Sequence, residues 1–165
     1  MPEFFDQYIN LIEDIELNEA FEKSLLDIRN MDRAAMEAIG DKIYAPGKWT
    51  IKDIFQHIID TERVMSYRAL RFARNDKTPL PGFDQDLFTA EAKAGKKTVS
   101  GLLDELETVR QCTIALYRDF DEETLSRTGT SNKRVLSVLA LGFIIAGHQL
   151  HHLKLIEDKY LPLLH

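Results

Sequence analysis

Three of the five histidines in this 165-residue chain fall within one short segment, His148-Gln-Leu-His-His152. His148 and His152 are four positions apart, one turn of helix, so both imidazoles point to the same side. Two imidazoles at that spacing chelate one metal ion in helical zinc sites, and a third ligand must then come from elsewhere. His57 is the only other internal histidine, since His165 ends the chain. His151 points away from the pair and marks a groove edge or the surface. Three neutral imidazoles leave a divalent ion its full charge and an open position, the pattern of a catalytic rather than a structural site. All-nitrogen ligation suits Zn, Ni, Co, Fe or Cu. Zinc or nickel is expected here.

The elements that must position these rings are helices. Apolar residues recur at spacings of three and four from Asn18 to Ile39, with Phe21, Leu25, Ile28, Met31, Ala35 and Ile39 on one stripe and Gly40 at the end. A second helix opens at Thr50, which forms a capping-box-like start with Asp53, and continues to Arg74. A third spans Thr98 to Phe120. A fourth runs from Lys133 to Tyr160 and is apolar nearly all round from Val135 to Gly147, which buries it or makes it the face of a homodimer. A further short helix is expected within residues 1–17. Nothing alternates for long enough to make a sheet. The reading is one all-α domain over residues 1–165.

The links between helices set the order. Asp41 to Trp49 is short and suits antiparallel neighbours, whereas Asn75 to Lys97 is long enough to cross the bundle. A crossover there lays the third helix parallel to the second, which gives a four-helix bundle running up-down-down-up. Ligand depth selects the same topology. His57 lies seven residues into the second helix, roughly 10 Å deep, and His148 and His152 lie about 12–18 Å from the end of the fourth. With that topology the three rings meet at one height.

Composition excludes several classes. The formal charge is −6, against the positive footprint that nucleic acid demands. The longest apolar stretch, Val138 to Gly147, is about half a bilayer crossing, and the N-terminus lacks the pattern of a signal peptide. The single cysteine, Cys112, excludes an internal disulfide, so a soluble cytoplasmic protein is expected. Cys112 itself reads as a core residue of the third helix.

The run Pro46-Gly-Lys-Trp-Thr through His57 to Asp60, paired with Gly147 and the following His148-Gln-Leu-His-His152, resembles the DinB/YfiT-like metalloprotein superfamily. In that superfamily a Trp-Ser/Thr helix start precedes the first histidine, and a His-x-x-His-His segment lies on the last helix. The resemblance covers nearly the whole chain. It implies the up-down-down-up bundle and a metal held by His57, His148 and His152. Gln149 stands where many relatives carry Glu, and Lys154 where Gly is common.

Some members are thiol transferases, and the resemblance therefore implies a metal-dependent S-transferase that takes a low-molecular-weight thiol as cosubstrate. Such thiols carry carboxylates, and the expected basic rim at the metal end is Lys48 and Lys96, with Lys97 and Lys154 near them. The rival readings are a metal-dependent hydrolase of a small ester or amide, with Asp60 as the nearby carboxylate, and a non-catalytic metal-binding bundle. Asp60 is also placed to orient a ligand imidazole. Arg68 and Arg71 continue the His57 face but are expected to pair with Asp84 and Asp86. Glu62 falls on another face, and Trp49 is expected to pack on the bundle.

Overall fold

The computed structural model describes residues 5–12 and 14–165. The three longest helices each start where a side chain accepts an orphan amide of the first turn. Thr50 and Asp53 cap α4 (Ile51–Ala73) reciprocally: Asp53 N donates to Thr50 Oγ1 (3.2 Å) and Thr50 N to Asp53 Oδ2 (3.0 Å). Thr98 caps α6 (Val99–Tyr117) and Ser137 caps α8 (Val138–Lys159). The first predicted helix is two helices. α2 (Leu17–Arg29) ends at Asn30, and Asp32 accepts from Ala35 N to start α3 (Arg33–Ile39). The predicted N-terminal helix is α1 (Asp6–Ile9), within the described part of residues 1–17.

Side-chain pairs fix the directions of the four long helices. Arg63 meets Glu105 and Ser66 meets Thr113, so α4 and α6 run parallel. Phe21 lies against Tyr117 and Arg29 against Glu107, so α2 and α6 are antiparallel. Trp49 pairs with Tyr160, and His57 with His148, so α4 and α8 are antiparallel as well. The bundle is up-down-down-up. The long link after α4 makes the crossover and holds α5 (Gln85–Ala92) and a 3₁₀ turn, Ala94–Lys96.

The expected start of the fourth helix at Lys133 does not hold. The fourth helix starts at Val138, because the preceding residues form an antiparallel hairpin of β1 (Thr128–Ser131) and β2 (Arg134–Ser137). Its loop, Asn132–Lys133, has positive φ at both residues, the mirror-image turn whose twist matches paired strands. The crossover link pairs with this hairpin through Leu80 N to Thr130 O and Asn132 N to Leu80 O. A Cβ at Gly129 would overlap the Phe72 ring, so glycine there lets the hairpin lie on the end of α4.

Two apolar clusters fill the bundle, one around Phe21, Phe72, Tyr117 and Ile144, the other around Ile28, Phe55, Leu102 and Ile156. Leu141, Ile144 and Ile145 of α8 are buried in the first, whereas Val135 and Leu139 of the same predicted apolar stretch are exposed. Cys112, expected in the core, is exposed, because Val109 and Thr113 occupy the inward positions of its turn. Between the clusters lies a polar layer. Arg110 is fully buried and forms a bidentate pair with Glu62 (2.9 Å for both bonds), Thr113 donates to Glu62, and Gln149 donates to the Ser24 carbonyl. Among the described residues no helix is long and apolar enough to cross a membrane.

Candidate metal centre

His57 enters this layer from α4 and His148 and His152 from α8, and all three are buried. Their Nε2 atoms converge: His57 to His148 is 3.0 Å and His152 to His148 is 3.2 Å. Burial drives all three rings toward the neutral form. The His57 pKa falls from 6.5 to about 4 through desolvation. That of His152 falls to about 3, through desolvation and then repulsion from His57 and His151. His148 is lowered well below its ordinary value, mainly by desolvation with its histidine neighbours adding. Neutral imidazole is the state that donates a lone pair to a metal.

The trio fits a cation better than it fits itself. A proton on His148 Nε2 serves one neighbour only, so hydrogen bonding leaves lone pairs facing one another. Nitrogens around a tetrahedral ion at bond lengths of 2.0–2.1 Å stand about 3.4 Å apart, close to the two short separations. Ligation through Nε2 leaves the proton on Nδ1. Thr61 Oγ1 lies 3.5 Å from Nδ1 of His57, while Nδ1 of His152 has no partner among the described residues.

Aromatic rings close the centre on two sides. Trp49 packs on His57 (ring centroids 4.9 Å apart), and Tyr8 stands edge-on to His148 at 5.2 Å. Gly147 permits the second contact, because a Cβ there would overlap the Tyr8 carbonyl. On the remaining side a cavity of about 370 Å³ reaches His57 and His148. It runs along Thr61, Met65 and Arg68 of α4 to the crossover link and the hairpin, which contribute Phe83, Ser131 and Arg134.

The profile of the DinB superfamily matches residues 11–156. The chain belongs to the DinB superfamily. A solved structure with the same fold is YfiT from Bacillus subtilis, described as a probable metal-dependent hydrolase with an unusual four-helix bundle topology. The two superpose with a TM-score of 0.64 at 20% identity, over 96% of this chain and 86% of YfiT. A curated relative from Oceanobacillus iheyensis, provisionally named a metal-dependent hydrolase, is 28% identical over 114 residues, which is 68% of this chain. The match spans 65% of that relative's length.

Within this DinB-superfamily bundle, the three predicted histidines come together and the predicted lysines do not join them. Lys48 lies over the Tyr44 ring, 5.9 Å from its centroid, and Lys96 is exposed at the end of the 3₁₀ turn. Neither lines the cavity, because Trp49 shuts the Lys48 side and the opening runs the other way along α4. Lys97 donates to Gln56 and Glu105, and Lys154 is exposed. Asp60 accepts from Gln56 Nε2 rather than orienting His57. Arg71 pairs with Asp76 and Tyr67, not with Asp84 or Asp86.

Arg68 likewise does not pair with those aspartates. It donates to the Pro81 carbonyl and faces the cavity. The spacing 57, 61, 65, 68 is the signal that places it there, one continuous helical stripe from the histidine centre. Ser131 and Tyr8 carried no comparable signal, since both reach the cavity only through tertiary packing.

Proposed function

We propose that this chain is a metal-dependent hydrolase acting on a small ester or amide, with a divalent cation on Nε2 of His57, His148 and His152. The observation that carries the reading is the convergence of three buried, neutral imidazoles at the closed end of a cavity. The provisional name of the Oceanobacillus relative and the description of YfiT support it. When bound, the cation polarises a carbonyl and lowers the pKa of water. The chain's own residues do the rest. Thr61 holds the His57 ring, Trp49 and Tyr8 keep water from the flanks, and the cavity directs a substrate toward the open side of the centre.

A second reading, S-transfer from a low-molecular-weight thiol, is favoured by one observation: the cavity ends on a buried arginine suited to the carboxylates such thiols carry. Metal analysis of protein purified without chelators or a nickel column tests the centre. His57→Ala, His148→Ala and His152→Ala should each lose the bound ion, and His151→Ala should keep it. Turnover of 4-nitrophenyl esters that follows metal content supports the hydrolase. Thiol conjugation without ester turnover favours the transferase.

A further inference from the structure

The cavity has two ends of different chemistry. One is the histidine centre; the other is built by Arg68 and the hairpin. Arg68 is 5% exposed, yet its partners carry no charge: Nη2 donates to the Pro81 carbonyl (2.9 Å), Nη1 to the Met65 sulfur (3.5 Å), and Phe83 lies 5.9 Å away. Among the described residues no carboxylate lies within ion-pair distance of it. Burial lowers its pKa from the ordinary value. A buried cation held only by neutral groups is costly unless an anion joins it.

Ser131 provides an independent second observation. It is 2% exposed, it lines the same cavity, and its Oγ has no hydrogen-bond partner among the described residues. A planar anion at this end satisfies both groups. The guanidinium offers parallel N–H donors that match a carboxylate, and the hydroxyl supplies one more donor. The wall between the two ends is mainly apolar, with Phe5, Tyr8, Met65 and Ile144, so the ligand's middle is an alkyl or aryl segment. Its length is bounded by the 11 residues from His57 to Arg68, roughly 16 Å along the helix before either side chain reaches inward. The cavity lies at the lower end of the small-molecule range.

We propose that the substrate is a small monocarboxylic acid with an apolar body, its carboxylate held by Arg68 and Ser131 and its reacting group at the histidine centre. The assignment of the reacting end rests on the hydrolase reading; the carboxylate site stands on the residues of the cavity alone.

The test is calorimetric titration of the metal-loaded protein with 4-phenylbutyrate and with its neutral amide. The acid should bind at least tenfold more tightly than the amide. The preference should largely vanish in Arg68→Gln, shrink severalfold in Ser131→Ala, and persist after a chelator removes the metal. Equal affinity for acid and amide in the parent overturns the proposal without any variant, as does a preference that survives Arg68→Gln. A preference that disappears with the metal also overturns it, because the carboxylate then sits on the ion. Should Arg68→Gln fail to fold, the Ser131→Ala and chelator arms still decide. Ester turnover is measured separately: its absence alongside intact acid preference sinks the hydrolase reading and leaves the carboxylate site standing.

Discussion

Stripping the metal and lowering the pH should weaken this bundle through its histidines, and the size of the effect follows from their burial. In the unfolded chain a histidine takes up its proton near pH 6.5; in the folded chain His57 does so near 4 and His152 near 3. Between those limits the unfolded state binds more protons, so stability is fully present above about 6.5 and falls as the pH drops toward the folded values. From pH 7 to pH 5, each of these two groups removes about 2 kcal/mol. Together they remove about 4 kcal/mol, and His148, shifted in the same direction, adds to the loss. That is a large part of a typical stability of 5–15 kcal/mol. Urea unfolding of chelator-treated protein at pH 7, 6 and 5 measures it, with His57→Asn as the comparison. The variant should lose about 2 kcal/mol less than the parent across the interval. Identical losses in the two proteins would refute the claim that a buried neutral His57 is the source.

Other perturbations test the frame. Arg110→Met strands the Glu62 carboxylate in the polar layer and should cost about 3–5 kcal/mol in chemical denaturation, whereas Arg110→Met with Glu62→Met should recover most of it. A double variant weaker than the single would contradict this. Thr50→Ala removes one half of the α4 capping box and should cost about 1 kcal/mol, read from the same transitions. Gly147→Ala drives a methyl into the Tyr8 carbonyl and should cost about 1–3 kcal/mol. It should also speed amide hydrogen exchange in α1, and unchanged exchange there would count against the contact.

Much of this architecture could be read from the chain because local signals and tertiary demands agree. The Thr50–Asp53 box, the helical stripes and the common depth of three histidines each pointed to the topology the bundle adopts. The hairpin escaped because its strands have four residues each, too short to alternate visibly, and its turn is Asn132–Lys133 rather than the Asn-Gly that usually announces such a loop. The break at Asn30–Asp32 was written in Asp32, an N-cap three residues before Ala35, but the apolar stripe runs straight through it. The lysine rim failed for a different reason. Depth places Lys48 near the histidines along the bundle axis, yet access depends on which side is closed. Trp49 closes that one.

The polar layer between the two apolar clusters has a consequence for how the centre comes to exist. Both clusters are built from similar aliphatic and aromatic residues, so greasy contact alone does not choose which turn of one helix meets which turn of another. A slip of one turn, 5.4 Å, would keep much of that contact. It would also part Arg110 from Glu62 and set each charge against hydrocarbon. The ion pair thus acts as a detent between α4 and α6, as the Gln149 bond to Ser24 does between α8 and α2. Gln149 directly follows His148, and Glu62 directly follows Thr61, the residue beside the His57 ring. The height at which the imidazoles meet is therefore inherited from the alignment of the scaffold, and a substitution that loosens the detent would detune the metal geometry without touching a ligand.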